Sequence, residues 1–312
     1  MKIKITTLLA LACFCGIMFL AAPAFATNSS QNLQNQLASL EKSANGRLGL
    51  VMLNADGSVF AAYRATELFP FCSTFKLMLT GAVLKKSVQE PELLKARPTY
   101  SKNDLATWSP ITEKRLDSSA SNPLTTEELC AAAMLHSDNT AANLLLKLLG
   151  GPAALNAFAR SLGDSNFRLD RYEPDLNKAL PGDVRDTTTP MAMALSLRQL
   201  AVANALPIAQ KKLLVTWLQS STTGKERIKA GLPATWSSGD KTGSGPYGTT
   251  NDIALIWPPS SNTSAKDPNA NKPLVLAIYF TQPQKDAPVR QDVLAAATRL
   301  LIEHWLASDL SK

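Results

Sequence analysis

The sequence predicts an α+β fold, with an antiparallel five-stranded sheet assembled from both ends of the chain and an all-α lobe inserted between them. Three observations predict it. Two strand-like runs stand near the N-terminus on either side of a turn. A long block of helical periodicity follows, from Ser73 to about Leu218. Three more strand-like runs and an amphipathic helix close the chain. An antiparallel sheet built from strands of both chain ends would cover the helical block as an insert, with the site between the lobes.

The elements follow in order. Lys2 and Lys4 precede an apolar run over residues 5–22, and Ala24-Phe25-Ala26 places small residues where a signal peptidase inspects. Residues 1–26 therefore read as a signal peptide cleaved after Ala26, which sends the chain to the periplasm. A retained anchor and a lipoprotein site at Cys13 are the alternatives. Pro23 and the polar Thr27–Ser30 favour cleavage, and a cut at Cys13 would halve the apolar run. The remainder divides into an α/β lobe (27–67 with 220–312) and an all-α lobe (68–219), the latter holding a loop over 169–186.

Gln31–Lys42 reads as a helix, with Leu33, Leu37 and Leu40 on one face. Leu48–Leu53 and Val59–Tyr63 form a hairpin through Asn54-Ala55-Asp56-Gly57, at a sheet edge. Thr125 and Glu128 make a capping box for a helix through Leu135. Thr140–Leu149 is a second helix, closed by Gly150-Gly151, and Thr189-Pro190 opens another over Met191–Val202. Leu169–Asp186 is rich in proline and charge without a period, a long loop of the kind that often carries function. The late strands are Trp236–Ser244, Thr249–Trp257 and Leu274–Thr281, followed by a helix over Gln291–Leu306. Pro258–Lys272 is Pro-, Ser- and Asn-rich and reads as an exposed hairpin insertion.

Composition excludes several function classes. The formal charge is +7, but the basic residues are scattered, without interleaved aromatics, so nucleic acid is not an expected partner. Beyond the leader no run is apolar for long enough to cross a bilayer, so no stable membrane anchor is expected. The two histidines, His136 and His304, lack ligand spacing, so neither a metal nor another cofactor is expected. Cys72 and Cys130 are the cysteines left after cleavage, and they read as two buried thiols.

Three short motifs carry the chemistry. Ser73-Thr74-Phe75-Lys76 places a hydroxyl and an amine three apart, on one face if a helix begins at Ser73. A neutral lysine can take the serine proton, and enclosure in a cationic site lowers a lysine pKa. Phe75 and Leu77 would pack beneath this turn, and backbone N–H groups there can form half of an oxyanion hole. Ser137-Asp138-Asn139 sits at a helix break. Ser137 can relay a proton to a leaving nitrogen, Asn139 can hold a substrate amide, and Asp138 braces the turn, although all three types also cap helices. Lys241-Thr242-Gly243, followed by Ser244, offers a charge, two hydroxyls and an open strand edge to a carboxylate-bearing ligand. In the loop, Glu173 can activate a water with Asn177 as second partner, while Arg171 and Asp186 can pair and hold Glu173 in place. Each motif alone is weak evidence. The ordered set is strong.

On these residues the chain resembles the class A serine β-lactamases. The signature stands here as Ser73, Lys76, Ser137, Asn139, Glu173, Asn177, Lys241 and Thr242, and the loop matches from Arg171 through Asp186. The resemblance spans about residues 33–308. It implies a three-layer α/β/α sandwich beside the all-α lobe, a monomer, β-lactam substrates, and clavulanate-type inhibitors. It also implies that Ser73 attacks the lactam carbonyl and that Lys76, Glu173 or both act as base. The N–H groups of Ser73 and Ser244 would hold the oxyanion, Ser137 would protonate the nitrogen, and Glu173 with Asn177 would position the hydrolytic water. Trp108 matches the aromatic at the cleft entrance. Arg227 matches a position where some members carry an arginine that assists Lys241 and Thr242.

Departures from the family pattern matter too. Cys72 precedes the nucleophile as in carbapenem-hydrolysing members, but Gly245 and Pro246 stand where their partner cysteine would be. Thr80 stands where many penicillinases have the partner of Cys130. Both thiols are therefore expected free. Penicillins and early cephalosporins are the expected substrates, with Ser244 favouring the latter, and efficient carbapenem hydrolysis is not expected. A penicillin-binding transpeptidase would share Ser73, Lys76, Ser137, Asn139 and Lys241 but lack the Glu173 loop. A metallohydrolase or a non-catalytic periplasmic domain fits the residues less well.

Overall fold

A computed structural model describes residues 24–117, 123–259 and 272–309. The first helix α1 (Ala24–Ser43) leads into β1 (Arg47–Leu53), β2 (Val59–Tyr63) and the two-residue β3 (Phe69–Pro70). Next come α2 (Lys76–Ser87), α3 (Thr112–Asp117), α4 (Thr126–Leu135), α5 (Asn139–Leu149) and α6 (Pro152–Ser161). Strand β4 (Thr187–Thr188) precedes α7 (Pro190–Ala201), α8 (Ile208–Gln219) and the short α9 (Ile228–Gly231). Strands β5 (Ser237–Gly245), β6 (Thr249–Trp257) and β7 (Leu274–Thr281) follow, and α10 (Gln291–Asp309) ends the chain.

The main sheet has five strands in the order β2-β1-β7-β6-β5, all neighbours antiparallel. The first hairpin therefore supplies one edge and β5 the other. Both faces are buried. Leu48, Leu50, Met52, Ala254, Ile256, Leu276 and Ile278 meet Leu33 and Leu37 of α1 and Leu294 and Leu301 of α10. The alternate residues Val51, Leu53, Ile253, Leu255, Val275 and Ala277 face α7 and the helical lobe. This period-two division of near-continuous apolar strands makes three layers, α/β/α, as expected.

Local signals place the helices. The Thr125–Glu128 capping box forms as read, with Thr125 Oγ1 accepting from Glu128 N at 3.1 Å and Glu128 Oε2 from Thr125 N at 2.7 Å. Asp138 caps α5, and Gly150 ends it at φ +99°, a left-handed conformation that glycine adopts without strain.

The structure corrects several boundaries. Helix α1 is already present at Ala24 rather than starting at Gln31, so the expected cleavage point lies in its first turn. The first late strand shifts by one residue at each end, to Ser237–Gly245: Trp236 lies outside β5 and packs edge-on against Trp305 of α10, with centroids 5.5 Å apart. The helix expected to start at Ser73 begins at Lys76, and Ser73 sits in a preceding 3₁₀ turn, Cys72–Phe75. The loop 169–186 is not wholly irregular, since it holds a 3₁₀ turn over Asp175–Lys178. It ends in β4, whose pairing with β3 ties the loop beside the nucleophile turn. Most of the leader and residues 260–271 of the expected insertion lie outside the described residues. Cys72 and Cys130 are both buried and free. Among the described residues no helix is long and apolar enough to cross a membrane.

Candidate active site

The nucleophile turn is built from the core outward. Phe71 stacks on Phe75 and Phe167, with centroids 5.8 and 5.0 Å apart. Thr74 N–H and Thr74 Oγ1 both donate to Phe71 O, at 3.2 and 2.8 Å. Asn251 on β6 donates from Nδ2 to Pro70 O at 2.8 Å and Phe71 O at 3.2 Å. Cys72 takes φ +47°, which is unusual for a residue with a side chain and lifts Ser73 out of the core. Burial pushes the Cys72 thiol pKa up, so it is inert beside the serine. Strand β5 crosses close above this turn. A Cβ at Gly243 would meet Phe71 O at 2.6 Å and Ser73 N at 3.2 Å, so only glycine lets strand and turn approach this closely.

Lys76 is fully buried at the centre. Its Nζ lies 2.9 Å from Ser73 Oγ, 2.8 Å from Ser137 O, 3.3 Å from Ser137 Oγ, 2.6 Å from Asn139 Oδ1 and 3.0 Å from Glu173 Oε1. Five oxygens compete for at most three protons. Burial lowers the Lys76 pKa, and the Glu173 carboxylate opposes that shift. Ser137, held at φ +59°, also receives a hydrogen bond from Lys241 Nζ at 3.1 Å. Lys241 is fully buried, and burial followed by the charge of Lys76 pushes its pKa down to about 7.

Glu173 faces this cluster from the loop. Its Oε1 lies 3.4 Å from Ser73 Oγ, and its Oε2 accepts from Asn177 Nδ2. Asn177 Oδ1 is buried without a hydrogen-bond partner among the described residues. Arg171 pairs with Asp186 across the loop base, and Asp186 Oδ1 also accepts from the N–H groups of Asp170 (2.8 Å) and Arg171 (3.1 Å). The sequence reading missed Asn143. This α5 residue accepts from Glu173 N and donates to Glu173 O, both at 2.9 Å, and so grips the backbone that carries the carboxylate. Its only signal was its place one turn after Ser137-Asp138-Asn139.

The remaining expected residues gather at the same cleft. Asp138 accepts from Ile111 N, Thr112 N and Ala141 N, bracing the turn. Asn139 spends its Oδ1 on Lys76 and one Nδ2 proton on Thr107 O, which leaves a single amide proton for a ligand. Trp108, 64% exposed, stands at the cleft mouth with its indole N–H on His136 O at 3.1 Å. Thr242 Oγ1 meets Thr223 Oγ1 at 2.6 Å. Arg227, expected to assist Lys241 and Thr242, lies close enough for its charge to act on Lys241. Buried, it donates to Gly243 O (2.8 Å), Asn251 O (2.7 Å) and Ser244 Oγ (2.6 Å). Its contact is with the next hydroxyl along the strand.

Residues 32–305 match the model of the β-lactamase enzyme family. The chain is 51% identical to a class A β-lactamase reconstructed as the last common ancestor of Gram-negative bacteria, with a TM-score of 0.80 over 88% of this chain and 99% of that one. The chain belongs to the class A β-lactamases. It is a serine β-lactamase, a hydrolase of β-lactams. Among curated class relatives, β-lactamase OXY-1 of Klebsiella oxytoca is 52% identical over 275 residues, 88% of this chain and 90% of that protein. β-Lactamase Toho-1 of Escherichia coli is 50% identical over 272 residues, 87% of this chain and 89% of that protein. The β-lactamase structure from Desulfarculus baarsii aligns with a TM-score of 0.82 at 51% identity, over 89% of this chain and 98% of that one.

Proposed function

We propose that Ser73 is the nucleophile that opens the lactam ring and that Glu173 turns over the resulting ester. The position of Glu173 carries this reading. One oxygen reaches both Ser73 Oγ and Lys76 Nζ, and the other is held by Asn177. Lys76 is the nearer base for the Ser73 proton, and its contact with Glu173 makes the two a coupled pair that shares it. The N–H groups of Ser73 and Ser244 receive the developing oxyanion. Ser137 Oγ accepts from both Lys76 and Lys241, so its own proton is left for the departing nitrogen as the C–N bond breaks.

Hydrolysis of the acyl-enzyme then needs a water next to Glu173. The unpartnered Asn177 Oδ1 supports that site, since a buried orphan acceptor commonly marks a water position. Lys241, Thr242 and Ser244 receive the substrate carboxylate, Asn139 its amide side chain, and Trp108 walls the mouth. Arg171 and Asp186 brace the loop. Penicillins and early cephalosporins are the substrates and clavulanate-type compounds the inhibitors. The protein acts as a periplasmic monomer divided into lobes 27–67 with 220–312 and 68–219. The basic and apolar leader supports export, and N-terminal sequencing of the exported protein should begin at Thr27.

The deciding experiment is intact-mass analysis of Glu173→Ala after brief exposure to a penicillin. One adduct should accumulate on Ser73, while the unmodified enzyme turns over without one. Rapid turnover by Glu173→Ala removes Glu173 from the role. A long-lived adduct on the unmodified enzyme favours a penicillin-binding activity instead.

A further inference from the structure

We propose that His136 is a positioning residue for the carboxylate side of the cleft, acting through the segment Ser221–Thr223. This rests on the reading of Thr242 as a carboxylate ligand. Thr223 Oγ1 and Thr242 Oγ1 lie 2.6 Å apart. One hydroxyl must donate to the other, so of their two protons one is consumed and one is left for an incoming carboxylate. Where that free proton stands depends on where Thr223 stands. Among the described residues Thr223 is weakly held, with one further side-chain hydrogen bond, to Ser221 Oγ at 3.5 Å.

Its neighbour is held firmly. Thr222 N–H and Thr222 Oγ1 both donate to Leu135 O at the end of α4, at 3.0 and 2.8 Å. The His136 ring nitrogen Nδ1 then lies 3.3 Å from Thr222 Oγ1. With Leu135 O as an acceptor of the Thr222 hydroxyl, the His136 ring gives that hydroxyl oxygen a second side-chain partner. On the far side Ser221 Oγ donates to Asp240 Oδ2 at 2.9 Å. The segment is thus clamped between α4 and β5, and His136 supplies the side-chain half of the α4 clamp.

The same residue meets the opposite wall. The His136 carbonyl accepts the Trp108 indole N–H, and the next residues but two, at Asn139, return a backbone N–H to Trp108 O at 2.9 Å. Trp108 is at φ +67°, so its exposed ring is held in place by these two bonds against an unfavourable backbone. His136 therefore sets the Thr222–Thr223 wall relative to the Trp108 wall. The histidine, without metal spacing in the sequence, has a use in the cleft.

The test pairs protein and substrate changes. Steady-state kinetics would compare His136→Ala, His136→Asn and Thr222→Val on a penicillin and on its carboxylate methyl ester. His136→Ala and Thr222→Val should each raise KM for the acid about 3- to 10-fold with kcat nearly unchanged, and leave kcat/KM for the ester within 2-fold. His136→Asn, whose amide can donate to Thr222 Oγ1, should restore the KM. Equal losses on acid and ester, an unchanged KM in His136→Ala, or no rescue by asparagine would each overturn the proposal. Equal turnover of acid and ester by the unmodified enzyme would instead reject the carboxylate reading of Thr242.

Discussion

The two sides of the cleft are built differently. On one side Lys76 meets Glu173, a carboxylate presented by a loop and fixed by side chains: Asn143, Asn177, and the Arg171–Asp186 pair. On the other side Lys241, Thr242 and Ser244 project from β5, which is fixed by its backbone ladder with β6 and by the buried Arg227. Both lysines are fully buried and both reach Ser137 Oγ. Only Lys76 has an anion in contact, at 3.0 Å. Among the described residues the Lys241 ammonium has no such neighbour, so it is the charge left to meet a substrate anion. The loop side holds the groups that move protons, and the strand side holds the groups that bind.

That division predicts which kinetic constant each change affects. The largest effect should come from Asn143→Ala. Loss of both bonds to the Glu173 backbone frees the carboxylate to shift, and a displacement of about 1 Å can cost roughly 100-fold in rate. We expect kcat to fall by about that factor through slower deacylation, with KM for a penicillin not raised. A raised KM with normal kcat would erase the distinction between the two sides.

Lys241→Met should show the reverse pattern, and it separates activity from stability. It removes the binding charge, so kcat/KM for carboxylate substrates should fall about 10- to 100-fold, a loss of about 1.4–3 kcal/mol. It also removes an ammonium buried at a cost, so the melting temperature at pH 7 should rise. The pH sign follows from the lowered pKa. Between about 7 and the ordinary value of 10.5 the unfolded chain binds more protons at this residue than the folded one. Its contribution to stability therefore rises with pH across that window. Capture of anionic substrate should decline over the same rise, as Lys241 loses its charge above about pH 7. Thermal melts and kcat/KM profiles of the two proteins from pH 6 to 9 check both slopes. A melting temperature that falls in Lys241→Met would mean that the hydrogen bonds to Ser137 Oγ and Thr242 O outweigh the cost of burying the ammonium.

The same contrast explains what was legible in the sequence. The strands and most helices could be read because apolar period and caps are local: Val59–Tyr63, Thr249–Trp257 and Leu274–Thr281 appear with the boundaries expected. The reactive residues were legible because their spacing is short. What escaped depends on contacts between distant segments. Asn143 touches Glu173 thirty positions away, and Asn251 reaches the Pro70–Phe71 carbonyls across the sheet. An asparagine within a helix or a strand carries no mark of such a partner. The 3₁₀ turn at Ser73 was also hidden, because the φ of Cys72 is imposed by packing under β5 and not by its residue type.

The smallest effect should come from Arg227→Ala, and it tests how the strand side is tuned. An arginine can only donate, so its contact with Ser244 Oγ at 2.6 Å forces that oxygen to accept. The Ser244 proton is then free to point into the cleft and bond the substrate carboxylate. Removing Arg227 leaves the hydroxyl free to turn back, and strands the carbonyls of Gly243 and Asn251. We expect KM to rise about 10-fold, the worth of one charge-assisted bond of about 1.4 kcal/mol, with kcat less affected. Ser244→Ala should give a loss of similar size. The double variant should be no worse than Ser244→Ala alone, because the arginine would act through the hydroxyl. Additive losses in that cycle would show that Arg227 reaches the substrate by its field rather than through Ser244, and the strand side would then be tuned by charge and not by the direction of one proton.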